Sequence, residues 1–97
     1  MAAYIIADVT VTNAEQMAKY REWSTKAASE HGAEFLVRGG AITVLEGGWN
    51  PSRLVVLKFE SADKARAYYT SEAYTKAREV REGAGVLNMV VVEGVAT

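Results

Sequence analysis

The chain has 97 residues, 49% hydrophobic and 24% charged, with eleven Lys and Arg against twelve Asp and Glu for a formal charge of −1. That is the length of one domain, residues 1–97, and the interspersed signs leave no electrostatic footprint for nucleic acid or an anionic membrane. No cysteine and a single histidine exclude disulfides, thiol nucleophiles, thiolate zinc sites and two-histidine metal sites, so no metal is expected.

The first eight residues have neither a basic region nor the apolar run of a signal peptide, and no segment nears the ~20 apolar residues of a membrane span. A cytoplasmic protein is the expectation. Residues 4–11, rich in β-branched side chains, predict a first strand. Thr12 with Glu15 and Asn13 with Gln16 form two overlapping capping boxes that start a helix. At 100° per residue, Met17, Tyr20, Ser24, Ala27, Ala28 and His31 share one face of it, and Gly32 ends it after His31. Residues 33–37 and 41–46 are both strand-like, interrupted by Gly39-Gly40, which suggest a bulge or tight bend. Residues 47–51 make a turn, and residues 53–59 alternate as a strand. Ser61 caps a second helix with a face of Ala62, Ala65 and Tyr69. Ser71-Glu72 breaks and restarts this helix, which runs on to about Glu82, and residues 87–94 form the last strand.

The order βαββαβ predicts an α+β sandwich of ferredoxin-like kind with an antiparallel sheet. Its first strand and residues 53–59 are then central neighbours. Ile5, Ala7, Val9 and Val11 should face the helices together with Val55, Leu57 and Phe59. The other parity places Tyr4, Ile6, Leu54 and Val56 on the open face, with Asp8 and Lys58 able to pair there. That is too much apolar surface for water, and a second copy laid on this face, a symmetric homodimer, would cover it.

Several runs carry a resemblance to a known family: Tyr4-Ile5-Ile6-Ala7-Asp8-Val9, His31-Gly32-Ala33-Glu34-Phe35, Leu45-Glu46-Gly47-Gly48-Trp49-Asn50-Pro51, Arg53-Leu54-Val55-Val56-Leu57-Lys58-Phe59, Tyr68-Tyr69-Thr70-Ser71-Glu72-Ala73-Tyr74 and Arg78-Glu79-Val80-Arg81. Together they resemble the domain of unknown function 1330 family, small bacterial proteins of the dimeric α/β-barrel superfamily. The resemblance spans essentially the whole chain. It implies a ferredoxin-like protomer and a sheet-to-sheet dimer, and it implies no established activity. Ala33 stands where the family pattern often has a further glycine, and Ala73 where a proline is common.

The candidate chemistry is sparse. His31 is either a general base or ligand contact, or a helix-end residue favoured by the macrodipole. Arg38 either holds a carboxylate, re-aimed by a bulge at Gly39-Gly40, or pairs with Glu34 or Glu46. Glu46, beside Trp49, is either a proton-moving carboxylate or an arginine's partner. Tyr74, Arg78 and Arg81 recur at i, i+4 and i+7, and with Tyr69 they either line a pocket for an anionic aromatic molecule or serve the core and surface. Trp23 reads as packing alone. Phosphate-binding glycine loops and nucleophile-elbow motifs are absent from the sequence, and no cofactor is expected. The leading expectation is a homodimer binding a small carboxylate or phenolic metabolite. The alternatives are an enzyme of the cofactor-independent monooxygenase or isomerase type and an interaction protein with no ligand.

Overall fold

The computed structural model describes residues 1–96. Its elements are β1 (Ala3–Val11), α1 (Ala14–Glu30), β2 (Glu34–Arg38), β3 (Leu54–Phe59), α2 (Ala62–Thr70), α3 (Glu72–Arg81) and β4 (Gly85–Glu93). The four strands form one antiparallel sheet in the order β2-β3-β1-β4, with the helices on one face. This is the ferredoxin-like α+β arrangement expected from the element order. No helix is long and apolar enough to cross a membrane.

Local chemistry accounts for the boundaries. Asn13 caps α1, its side chain accepting from the Gln16 N–H at 3.0 Å. Gln16 does not complete a capping box. Its Nε2 instead donates to the carbonyls of Val80 (2.8 Å) and Glu82 (2.6 Å), tying the start of α1 to the end of α3. The Asn13 N–H goes to the Ala84 carbonyl instead. His31 is the C-cap of α1, and Gly32 follows at φ 67°, the left-handed conformation that a helix-ending glycine adopts at little cost. Ser71 separates α2 from α3 by accepting from the Tyr74 N–H and donating to the Tyr68 carbonyl.

Two expectations about the middle of the chain are corrected. Residues 41–46 form no strand. Gly39, at φ 75°, turns the chain out of the sheet after β2, and residues 39–53 run as a loop in which Leu45 is 94% exposed. The bulge lies at Leu36, three residues before Gly39. Phe35 pairs with Leu57 and Val37 with Val56, so Leu36 is the extra residue.

The core lies between the sheet and the helices. Ile5, Ala7 and Val9 of β1, with Leu57 and Phe59 of β3, meet Met17, Tyr20, Ala27 and Ala28 of α1 and Ala65, Tyr68, Tyr74 and Ala77 of α2 and α3. Val11, at the end of β1 beyond the helix cover, is exposed rather than inward. On α2 the buried residues are Ala65 and Tyr68, and Tyr69 is only half-buried.

The open face carries an apolar row across all four strands. Val37, Val56, Ile6 and Val90 stand side by side in register, and Val90 is 59% exposed. Asp8 and Lys58 share this face but do not pair. Lys58 lies opposite Tyr4, four residues along β1 from Asp8, a separation of roughly 13 Å. Asp8 instead accepts from the Trp49 indole N–H at 2.9 Å, which anchors the loop over the edge of the row.

Candidate functional site

The sheet's inner face and α1 enclose a small cavity. Its floor is Ala7, Val9, Val55, Leu57, Leu87 and Met89, and Met17 and Phe35 close its sides. The enclosed space is about 40 Å³, room for two or three atoms or a few waters. Tyr20, Ser24 and Tyr68 are its hydroxyl-bearing lining residues, and Arg21, Arg38 and Arg53 line it as well. The same three arginines line an open depression of about 580 Å³ just outside, beside Ala18, Glu22 and Thr25.

Each arginine arrives by a traceable route. In a regular strand Arg38 would have the opposite parity to Phe35 and point to the open face. The extra residue at Leu36 reverses that parity, so Val37 faces out opposite Val56 and Arg38 faces in opposite Val55. Its guanidinium then lies 4.1 Å from the Phe35 ring centre and donates to Thr25 Oγ1. Arg53 precedes β3 with the parity of Val55 and Leu57, and it lies across Gly39, where any Cβ would collide with its guanidinium. Arg21 follows Tyr20 on α1, one turn from Met17 and from Ser24.

Charge makes this cluster unusual. Among the described residues the only ion pairs are Lys64–Glu60 and Arg66–Asp63, both on the surface elsewhere. The three guanidinium groups therefore share this depression with no carboxylate within 4 Å, although Glu22 also lines its rim. Like charges gathered at the mouth of a low-dielectric cavity repel one another, and an anion placed among them relieves that repulsion. Guanidinium also matches carboxylate geometry better than ammonium does, through paired N–H donors.

The remaining candidates are dispersed. Tyr74 is fully buried at the centre of an aromatic cluster, its hydroxyl 2.7 Å from that of Tyr20 and 4.0 Å from the Met89 sulfur. Its ring packs against those of Tyr68 (4.8 Å) and Tyr69 (5.4 Å). Burial raises the Tyr20, Tyr68 and Tyr74 hydroxyls above the usual phenol range, so all three stay protonated at neutral pH. Arg78 stacks on Tyr69 at 4.6 Å and Arg81 on Tyr20 at 5.5 Å, each with its Nε buried and without a partner. Tyr69 and Arg81 also edge a half-open groove of about 460 Å³ floored by Ile5, Leu87, Met89 and Val91.

His31 edges the Tyr68 ring at 6.5 Å, but it borders a different open depression, with Glu30, Glu60, Asp63 and Lys64. Glu46 lies exposed in the loop and lines none of these cavities. Arg38 pairs with neither Glu34 nor Glu46. Trp23 packs against the core and carries Lys26 over its ring. The structure thus separates Arg38 from His31, Glu46 and the α3 residues, and groups it with Arg21, Arg53 and Tyr68. Those three were legible: Arg53 shares the inward parity of its strand, Arg21 lies beside the buried face of α1, and Tyr68 sits one turn from Ala65.

The family model for DUF1330, a domain of unknown function, matches residues 2–95. The chain belongs to the DUF1330 family. No curated protein matches it. Among solved structures it is similar to a protein of unknown function from Rhodopseudomonas palustris, at 14% identity, with TM-score 0.77 and coverage of 99% of this chain and 84% of that one. It is also similar to SnoaB, a cofactor-independent oxygenase from Streptomyces nogalater, at 11% identity, TM-score 0.61 and coverage of 99% and 95%. A dimeric ferredoxin-like protein of unknown function from Thermobifida fusca matches at 20% identity, TM-score 0.55 and coverage of 95% and 90%. These likenesses establish the ferredoxin-like fold.

Proposed function

We propose that this DUF1330 protein is a cytoplasmic, single-domain homodimer that binds a small carboxylate at the cavity beneath α1. The carrying observation is the group of Arg21, Arg38 and Arg53 around an apolar cavity, three cations against the single Glu22 on the rim, with none of them in an ion pair among the described residues. The carboxylate would sit in the open depression among the guanidinium groups, and a short apolar stem would enter between Phe35, Met17 and Met89. A neutral phenol would leave the three charges uncompensated, so the geometry favours the acid over the phenolic ligand.

The enzyme reading draws on the likeness to SnoaB. It needs a proton-moving group at the cavity, and neither His31 nor Glu46 lines it. Binding is therefore the better-supported reading, with Tyr74, Arg78 and Arg81 as framework. The dimer is supported by the bare row Val37, Val56, Ile6 and Val90 and by the dimeric description of the Thermobifida fusca neighbour.

A thermal-shift and calorimetric series tests the ligand class. Straight-chain carboxylates from acetate to butanoate should bind, and the matching amides and phenol should not. The double variant Arg38→Gln/Arg53→Gln should lose the response. Equal binding of acid and amide would remove the reading. Sedimentation equilibrium tests the assembly, where a mass of 10.5 kDa at micromolar concentration would remove the dimer.

A further inference from the structure

Three hydroxyl-bearing residues line the cavity, and the hydroxyls of two of them are engaged. Tyr20 shares its hydrogen bond with Tyr74, and Ser24 Oγ donates to the Arg21 carbonyl at 3.2 Å. Tyr68 is different. It is 98% buried, since only 2% of its surface is exposed, and its ring is clamped between those of Phe59 (5.2 Å) and Tyr74 (4.8 Å). Its hydroxyl nevertheless has no hydrogen-bond partner among the described residues, although it lies with Arg38 on the cavity wall. The hydroxyl is not sealed against the protein, so a hydroxyl held rigidly in a cavity with no protein partner is set to donate to an acceptor that enters.

We propose that the Tyr68 hydroxyl is the specificity donor of this site, reading a second oxygen on the ligand, so that the cavity selects short oxo-acids over plain carboxylates of the same length. The proposal rests on the carboxylate reading above. The arginines hold the carboxylate outside, and Tyr68 donates to a carbonyl oxygen carried on the stem inside. Burial keeps the phenol protonated and thus a donor at neutral pH, with Arg38 and Arg81 exerting a weaker opposite pull. A site that has buried a donor discriminates against an analogue lacking the acceptor, because that analogue leaves the donor unpaired.

The test is calorimetric titration of butanoate, 2-oxobutanoate and 3-oxobutanoate into the wild type and Tyr68→Phe. The wild type should prefer at least one oxo-acid by about tenfold over butanoate. Tyr68→Phe should lose that preference, binding butanoate at least as tightly as the wild type does and neither oxo-acid more tightly than butanoate, and should melt no lower than the wild type because the lost hydroxyl had no protein partner. Butanoate binding with no oxo-acid preference, or a preference that survives Tyr68→Phe, would overturn the proposal and leave the arginine reading intact. A lower melting temperature or misfolding of Tyr68→Phe would assign the hydroxyl to the fold, with the same consequence. If none of the three acids binds the wild type, the carboxylate reading fails and this proposal falls with it.

Discussion

Two arginine groups in this small protein do different physical work. Arg78 and Arg81 on α3 lie on the rings of Tyr69 and Tyr20, with their Nε atoms sealed from solvent, and they complete an aromatic cluster. Arg21, Arg38 and Arg53 gather around a hole. Only Arg38 of these three uses its side chain internally, on Phe35 and Thr25. An arginine spent on an aromatic face contributes about 0.5–2 kcal/mol to packing wherever the ring is buried. Arg21 and Arg53 have no such ring contact among the described residues. On the proposed reading the contrast separates residues that hold the fold from residues that await a ligand, although composition alone makes them identical.

The largest effect should come from the cluster beneath α3. Tyr74→Ala removes a fully buried ring and should cost about 3–5 kcal/mol in urea unfolding, with any residual folded protein still binding carboxylate. A loss much below that range would mean that the cluster does not organise this side of the molecule.

Alkaline titration probes the same region without mutation. Tyr20, Tyr68 and Tyr74 all have hydroxyls raised above their ordinary value of 10.0. Their contribution is therefore complete below pH 10 and is lost as pH climbs from there toward the folded values. Each tyrosine held protonated should cost up to about 1.4 kcal/mol of stability per pH unit above 10. Absorbance of phenolate and circular dichroism should change together for these three residues. Ionisation well before unfolding would contradict their enclosure.

The arginine ring should answer to a different assay. Arg53→Gln should weaken carboxylate affinity by roughly 10- to 100-fold, the range of a charge-assisted hydrogen bond, and change stability by less than about 0.5 kcal/mol. Arg81→Gln should do the reverse. Its stability should fall by about 0.5–2 kcal/mol while carboxylate affinity stays within about twofold. Identical behaviour of the two variants in either assay would erase the distinction.

Much of this fold was legible from periodicity and caps. Asn13, Gly32, Ser61 and Ser71 mark helix ends because each satisfies a backbone group or turns the chain locally, and local chemistry is written in local sequence. The sheet parity of Ile5, Ala7, Leu57 and Phe59 followed for the same reason. The site was less legible. Tyr74, Arg78 and Arg81 do share a helical face, but spacing cannot say whether a face meets a cavity or a neighbouring ring. Arg38 depended on one extra residue in an edge strand, and Leu36 gives no local signal that it bulges, because the slip is set by pairing with β3. The strand expected at residues 41–46 failed for a related reason. Its alternation is real, but the chain has already left the sheet at Gly39, and no strand there offers a ladder.

The most direct test is an NMR titration of the wild-type protein with butanoate, following the Nε–Hε signals of the arginines. Saturable shifts at Arg21, Arg38 and Arg53, with Arg78 and Arg81 unmoved, are the expected result. Shifts confined to Arg78 and Arg81, or no saturable shift at any arginine, would contradict the account.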